Sequence, residues 1–215
     1  MAVDNSSPAG LRREPKQERS RRMVLAVEQA ARKSLLDSGG DALTTTSLEL
    51  VSGVPKASIY QYFPSLDAVK AEVFRHEIKQ HFEDWSARLE SKWNTMGLAE
   101  GLAMIVDSTI KLQSALIDLD ADFYQSHSGY FGVWTAYDSY SDQHDAGADL
   151  LKEFFARHYP TMSSADLDLR AHAMGRAVEQ TSYHILRDNP DYRHQPLLRD
   201  LLLSMALSFF LPSLI

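Results

Sequence analysis

Apolar residues recur at helical spacing along most of this 215-residue chain. The clearest run begins at Val69 and ends at Trp93, and its apolar residues stand three to five positions apart. Such spacing places side chains on one face of an α-helix, whereas a half-buried strand would show alternation. We find no convincing strand and no internal repeat, so the sequence predicts an all-α fold.

Glycine, proline and polar clusters separate the helical stretches. We expect a first helix over 17–38, two short helices between Thr44 and Phe63, and a long helix that Ser65 caps. Thr46 and Glu49 have the spacing of a capping box, and Pro55 suits a first helical position. Further helices are predicted at 98–117, 122–138, 142–158, 164–188 and 195–211.

The charge is unevenly distributed, which suggests two parts with different partners. Residues 1–75 contain 11 Lys and Arg against 9 Asp and Glu, a balance of +2, while residues 76–215 contain 11 against 20, a balance of −9. A net charge of −7 confines any DNA contact to a local patch. Residues 1–16 are predicted to form a flexible tail. The basic run 12–22 is either a solvated segment or an arm that contacts phosphates or the minor groove.

Several functional classes lack sequence support. The absence of cysteine excludes disulfides, Cys-ligated zinc and Cys nucleophiles. The aspartates at 118, 120 and 122 lack the glycine of a calcium loop, and His76-Glu77 lacks the second histidine of a zinc-protease motif. We therefore expect no enzyme activity, cofactor or metal. Because no signal peptide or membrane span is evident, we expect a cytoplasmic protein with no membrane partner.

The segment after Thr44 has the order helix, glycine-containing turn, helix, which is typical of a DNA-binding helix-turn-helix. Its residues 53–65, GVPKASIYQYFPS, resemble the recognition-helix signature of TetR/AcrR transcriptional repressors. Ala30-Ala31, Leu35, Gly39 and Thr44 also stand where that family has its first helix and a threonine. The resemblance covers about residues 21–70. It implies a DNA-binding domain over 17–65 and a ligand-binding and dimerisation domain over 66–215.

Residue chemistry fits DNA contact at several positions of this segment. Lys56 can reach guanine or phosphate, Gln61 can pair with an adenine edge, and Ala57 permits close approach. Hydroxyls of the neighbouring residues suit phosphate anchoring. The family usually has a lysine where Leu66 stands and a small residue where Glu49 stands. The phosphate contact of the missing lysine is either lost or moved to Lys70, and Ile59 and Phe63 are expected in the core. The predicted DNA-binding residues are Thr44, Thr45, Lys56, Ala57, Ser58, Tyr60, Gln61, Tyr62 and Lys70.

Seven of the 21 aromatic residues lie between Phe123 and Tyr140. Such density suits either an aromatic core or a pocket for an apolar or aromatic molecule. The family resemblance favours the pocket, although not residue by residue. The predicted ligand-binding residues are Trp85, Phe123, Tyr124, His127, Tyr130, Phe131, Trp134, Tyr137, His172 and Tyr183.

The last two helices each have a broad apolar face, which favours a homodimer built as a four-helix bundle. The resemblance implies the same, with a dimer on a palindromic operator. We therefore expect a repressor that a small molecule releases from double-stranded DNA. One alternative is an activator or corepressor-dependent regulator, in which ligand tightens DNA binding. Another is a helical small-molecule-binding protein without specific DNA binding.

Overall fold

The structure is a computed structural model that describes residues 10–92, 95–131 and 153–210. It confirms the all-α prediction, because these residues contain helices, 3₁₀ turns and loops but no strand. The helices are α1 (Glu18–Ser38), α2 (Thr45–Ser52), α3 (Lys56–Tyr62), α4 (Leu66–Lys92), α5 (Leu98–Ser126), α6 (Ser128–Phe131), α7 (Ser164–Asp188) and α8 (Pro196–Ser208). Residues 153–158 are also helical.

The contacts divide the chain into two compact units. The first comprises Met1–Lys79 and Ala115–Phe131, and the second comprises Gln80–Ser114 and Gly132–Ile215. Helices α4 and α5 therefore contribute residues to both units. The first unit contains the predicted DNA-binding segment 17–65 together with parts of these two helices.

Helix α1 supplies one wall of the core of the first unit. Its apolar face, which includes Val27 and Leu35, is buried, and the helix packs against both α2 and α3. Helix α2 contributes the fully buried Leu48, and α3 contributes Ile59, so the two short helices are held by their apolar sides. Ser65 caps α4 as predicted, with its hydroxyl accepting a hydrogen bond from the Ala68 N–H at 3.1 Å. This packing leaves the opposite side of α3 exposed.

The aspartate run at 118–122, expected to separate two helices, does interrupt the helical geometry, with a kink that divides α5 into two helical segments. Asp120 alone has non-helical dihedral angles, φ −166° and ψ 98°. Its Oδ1 accepts a hydrogen bond from the Phe123 N–H at 2.9 Å, so its side chain restarts the helix immediately. Its Oδ2 pairs with the Lys70 ammonium at 2.6 Å. The helical segment after the kink ends at Ser126 and is followed by α6. The rest of the predicted helix over 122–138, beyond residue 131, lies outside the described part of the chain.

In the second unit, α7 packs against α8. Helix α7 occupies the predicted span, 164–188, and α8 begins one residue later than expected. A buried polar cluster joins α5 to α7: the Gln113 side-chain amide donates to the Glu179 carbonyl at 2.9 Å, and the Ser182 hydroxyl donates to Gln113 Oε1 at 2.6 Å. Among the described residues, no helix is long and apolar enough to cross a membrane.

Candidate nucleic-acid interface and ligand groove

The turn between α2 and α3 depends on Gly53. Its φ of 69° and ψ of 9° place it in the left-handed region, which costs a residue with a side chain more than it costs glycine. The Gly53 N–H closes α2 by donating to the Glu49 carbonyl at 3.0 Å. Val54 follows and is buried with 7% exposure at the junction. The glycine-containing turn predicted from the sequence therefore matches the geometry at Gly53.

The capping of the two short helices differs from the prediction. Thr44 is the N-cap of α2, and it forms a reciprocal capping box with Ser47 rather than leaving that role to Thr46 and Glu49. The predicted Thr46–Glu49 box is wrong because α2 begins at Thr45, two residues earlier than that box requires. Glu49 Oε1 instead accepts the Lys56 N–H at 3.1 Å, so Glu49 satisfies an open donor at the start of α3.

Pro55 also lies one position outside the expected place. Its ψ of 142° is extended, while its carbonyl already accepts hydrogen bonds from Ser58 and Ile59. These features define an N-cap rather than a first helical residue. The missing N–H of Pro55 therefore costs nothing, and Lys56 is the first residue of α3.

The solvent-facing side of α3 gathers most of the predicted DNA-binding residues. Lys56, Ala57 and Gln61 are exposed, Ser58 is partly exposed, and Tyr60 is 45% exposed. The Tyr60 hydroxyl lies 3.0 Å from Thr45 Oγ1, and the Lys56 ammonium donates to Thr46 Oγ1 at 2.9 Å. Ile59 and Phe63 are buried at 2% and 1%, as expected of core residues. We call the group Thr44, Thr45, Lys56, Ala57, Ser58, Tyr60 and Gln61 the α3 face.

Two predicted DNA-binding residues lie apart from the α3 face. Tyr62 is 8% exposed, and the Arg13 guanidinium lies over its ring at 4.6 Å. Lys70 holds Asp120, and its side chain is 15% exposed. In this conformation the Tyr62 ring and the Lys70 side chain are less exposed to solvent than Lys56, Tyr60 and Gln61 of the α3 face.

A second electrostatic feature of the first unit lies behind α3, between α1 and α4. Burial, and then the nearby Glu72 carboxylate, raise the pKa of Glu28 to about 7. Glu72 accepts the Leu11 N–H at 3.3 Å and also pairs with Arg75. The pKa of Glu28 therefore lies near neutral pH. Its neighbour Glu72 is also the residue to which the Leu11 N–H of the N-terminal segment is hydrogen-bonded.

The aromatic residues of 123–131 pack mainly with one another and with Phe74. Phe123 and Phe131 lie 5.1 Å and 5.2 Å from the Phe74 ring, and Tyr124 lies at 6.3 Å. Tyr124 and Phe131 are 1% exposed. Tyr124 and Phe131 are therefore buried beside Phe74 of α4 and line neither of the two cavities described below, and their role in ligand binding stays a prediction.

The other predicted ligand-binding residues that the structure describes are distributed over both units. Phe123 and His127 line a cavity of about 490 Å³ in the first unit, whose other walls include Asp41, Lys70 and Asp120. Tyr130 is partly exposed and lies near Arg75, whose guanidinium is 5.7 Å from its ring. In the second unit, His172 is exposed and Tyr183 is buried. Trp134 and Tyr137 lie outside the described residues.

Trp85, in contrast, lines a groove of about 380 Å³ in the second unit. This volume is within the usual range for small-molecule sites. The apolar lining comes from Trp85, Met96 and Met104. Its charged lining includes Arg88 and Lys111, as well as Arg199, which pairs with Asp107 at 2.7 Å. His81 lines it too and shares a hydrogen bond of 2.6 Å with Ser108. We call this site the Trp85 groove.

Of the residues that line this groove, only Trp85 was predicted from the sequence to bind a ligand. The other lining residues come from α4, α5, the loop between them and α8, and none belongs to a recognisable motif. The helical spacing of Trp85 and Arg88 on α4 was a usable signal, because residues three apart share a face. The partners on α5 and α8 required the tertiary structure.

No family model and no curated protein matches the chain. Among solved structures, the fold is similar to that of the fatty acid degradation regulator FadR from Bacillus halodurans, with a TM-score of 0.53. The identity is 13%, and the match covers 91% of this chain and 96% of that one. This likeness shows that the chain shares the helical fold of that protein.

Proposed function

We propose that this chain is a TetR/AcrR-type transcriptional repressor that binds a palindromic operator as a homodimer and is released by a small molecule. The observation that carries the proposal is the α3 face, which combines exposed donors on the second helix of a glycine-containing helix-turn-helix with hydroxyls at the start of the first helix. Fold similarity to a regulator supports the same class of function. We retain the expectation that the protein is cytoplasmic and is not an enzyme.

The proposed DNA contacts are those of the α3 face, without Tyr62 and Lys70. Lys56 and Gln61 would contact base edges, while the hydroxyls of Thr44, Thr45 and Tyr60 would bind phosphates. The Tyr62 ring and the Lys70 ammonium instead support the structure behind this face. The hydrogen bonds of Tyr60 and Lys56 to α2 orient both side chains before DNA arrives, which reduces the entropy lost on binding.

Three leucines favour dimerisation through the last two helices. Leu169 of α7 is 68% exposed, and Leu197 and Leu201 of α8 are 62% and 57% exposed. Large apolar side chains exposed on adjacent helices are typical of an interface. A two-fold pairing of α7 and α8 would cover them and would place two α3 faces on one operator.

The Trp85 groove is our candidate effector site. Trp85 and the two methionines would contact an apolar body, and Arg88 and Lys111 would attract an acidic group. An acid with an alkyl chain combines these properties, and the similar regulator FadR is described as controlling fatty acid degradation. We therefore propose an amphipathic acid as the effector, which narrows the apolar or aromatic molecule that the sequence predicted.

Helix α4 offers a route from effector to DNA. It contributes residues 66–79 to the first unit and residues 80–92, including Trp85, to the second. A ligand that prefers a shifted α4 would raise the population of a state with misplaced α3 faces. Substantial release requires roughly 10²-fold tighter ligand binding to that state. A ligand that prefers the DNA-bound state would instead make the protein corepressor-dependent.

The first experiment is recovery of sheared genomic DNA by the purified protein at near-physiological salt, because affinity depends strongly on salt. We expect a few enriched sites that share an inverted repeat. The variant Lys56→Ala/Gln61→Ala should lose them. The matched control is Lys33→Ala/Gln29→Ala, which removes the same two residue types from exposed positions of α1. Equal loss in both variants, or no enrichment by the wild type, would contradict specific recognition by the α3 face.

The effector proposal is tested by titrating the protein–operator complex with dodecanoate and, as the uncharged comparison, dodecan-1-ol. We expect dodecanoate to release the operator at lower concentration than the alcohol. Arg88→Ala/Lys111→Ala should reduce this difference, and Trp85→Ala should weaken both responses. If both variants respond as the wild type does, the Trp85 groove is not the site. Tighter DNA binding with dodecanoate would support the corepressor alternative.

A further inference from the structure

The segment before α1 is attached to the recognition helix by its backbone. The Arg12 N–H donates to the Tyr62 carbonyl at 2.7 Å, and the Leu11 N–H donates to Glu72 Oε1 at 3.3 Å. At the other end, the Arg21 side chain donates to the Pro15 carbonyl at 3.2 Å. Residues 11–15, which we call the arm, are therefore held at both ends beside α3.

The arm places the Arg13 side chain on two residues of α3. Its guanidinium lies over the Tyr62 ring at 4.6 Å, which is a cation–π geometry. Its Nη2 donates to Gln61 Oε1 at 3.4 Å. A guanidinium has only donors, so the amide oxygen of Gln61 must be the atom that faces it. The amide NH₂ group of Gln61 then points away from Arg13.

This orientation changes what Gln61 can recognise. A glutamine pairs with adenine by using both ends of its amide: the oxygen accepts from N6 and the NH₂ donates to N7. In this structure Arg13 takes one of the two lone pairs of the oxygen and places a positive charge beside it, which disfavours a second acceptor role for the oxygen and leaves the NH₂ as the more available group. The Gln61 NH₂ and the neighbouring Arg13 guanidinium are both hydrogen-bond donors. Two adjacent donors match a base edge that presents acceptors, such as guanine N7 and O6.

We propose that the arm is part of the DNA-reading surface, and that Arg13 directs Gln61 away from adenine and toward a base with acceptors in the major groove. The inference rests on the proposed DNA-binding function and assigns the arm a role in specificity. Tyr62 is a positioning residue in this scheme, because its ring supports the guanidinium without reaching a base. The positive charge of Arg13 also attracts DNA phosphates, as does that of Arg12.

Arg12 provides the matched control. It is the adjacent exposed arginine and carries the same charge, but the contact it makes with α3 is through its backbone N–H. Arg12→Ala therefore removes one charge and leaves the docking hydrogen bond in place. Arg13→Ala removes one charge together with both side-chain contacts to α3.

The test is selection of binding sites from a randomised duplex library, followed by affinity measurement on the selected site and its single-base variants. Gln61→Ala identifies the base position that Gln61 reads, as the position at which discrimination disappears. The wild type should prefer guanine there, and Arg13→Ala should shift the guanine-to-adenine ratio by about tenfold or more toward adenine. Arg12→Ala should weaken binding to all sites similarly, with an unchanged base preference.

A thermodynamic cycle of Arg13→Ala and Gln61→Ala should also show non-additive losses of affinity, since the two side chains act together. The inference is overturned if Arg13→Ala and Arg12→Ala have the same base preferences, or if the wild type already prefers adenine at the Gln61 position. A wild type that selects no sequence would instead refute the proposed function, and the role of the arm with it.

Discussion

The helix-turn-helix segment, residues 44–65, and the aromatic segment, residues 120–131, are stabilised in different ways. The first depends on short-range hydrogen bonds, such as Glu49 to the Lys56 N–H and Thr45 to Tyr60, which are 7 and 15 residues apart. The second depends on partners in α4, and Lys70 and Asp120 are 50 residues apart. A local pattern can therefore predict the first arrangement, whereas the second is decided by residues distant in sequence.

The largest expected effect tests whether the aromatic segment is core. Phe131→Ala should lower the free energy of unfolding by about 3–5 kcal/mol, because it removes a ring that is 1% exposed and packs on Phe74. Urea denaturation measures this loss. Phe131→Leu, which retains most of the volume, should cost less. Stability unchanged by Phe131→Ala, with weaker effector binding, would restore the pocket interpretation of this segment.

The sequence predicted the local features of the fold well. Helix α7, the Gly53 turn and the burial of Ile59 and Phe63 followed from spacing and turn chemistry. Composition was a poorer guide, because a dense group of aromatic residues is compatible with a core and with a pocket. The rings of this group contact Phe74, which lies about 50 residues away from Phe123 in the sequence. The Trp85 groove was missed for the same reason, since its lining combines three helices.

The second expected effect concerns the ion pair at the kink of α5. Asp120→Asn retains an acceptor for the Phe123 N–H but leaves the Lys70 ammonium, 15% exposed, without its counter-charge. We expect a loss of about 2–3 kcal/mol in the free energy of unfolding. The control is Asp122→Asn, an exposed aspartate of the same run, which should change stability by less than about 0.5 kcal/mol. Equal effects of the two variants would show that the pair contributes little.

The third expected effect is a pH dependence caused by the burial of Glu28 and, to a smaller extent, by the nearby Glu72 carboxylate. Because the folded-state pKa of Glu28 is raised from 4.5 to about 7, the folded protein binds more protons than the unfolded chain between these values. Its contribution to stability therefore falls as pH rises from about 4.5 through about 7. After allowance for solvent screening, the loss is on the order of 1 kcal/mol.

The variant Glu28→Gln should remove this part of the pH dependence and be more stable than the wild type at pH 8. Urea denaturation at pH 5.5 and pH 8 measures both quantities. The matched control is Glu18→Gln, which removes an exposed carboxylate from the first turn of the same helix. If Glu28→Gln keeps the wild-type slope between these pH values, Glu28 is charged in the folded protein at neutral pH and the assignment is wrong.

The smallest expected effect concerns Glu49 in the helix-turn-helix segment. It separates the role of Glu49 as an acceptor for the Lys56 N–H from the effect of its negative charge on DNA binding. Glu49→Ala removes the acceptor for the Lys56 N–H and should cost about 0.5–1 kcal/mol of stability. Glu49→Gln keeps an acceptor, so its stability should stay within about 0.5 kcal/mol of the wild type. Both variants remove a negative charge beside the α3 face.

Both Glu49 variants should therefore bind DNA about two- to fivefold more tightly at low salt, and this gain should shrink as salt rises. Fluorescence anisotropy at two salt concentrations, together with denaturation, distinguishes the effects. Both variants lose the charge, but only Glu49→Ala loses the acceptor. Equal DNA affinities with unequal stabilities would therefore mean that Glu49, in place of the family's small residue, serves to cap α3. Weaker DNA binding by Glu49→Gln would mean that the carboxylate itself contacts the operator, for example by accepting from cytosine N4.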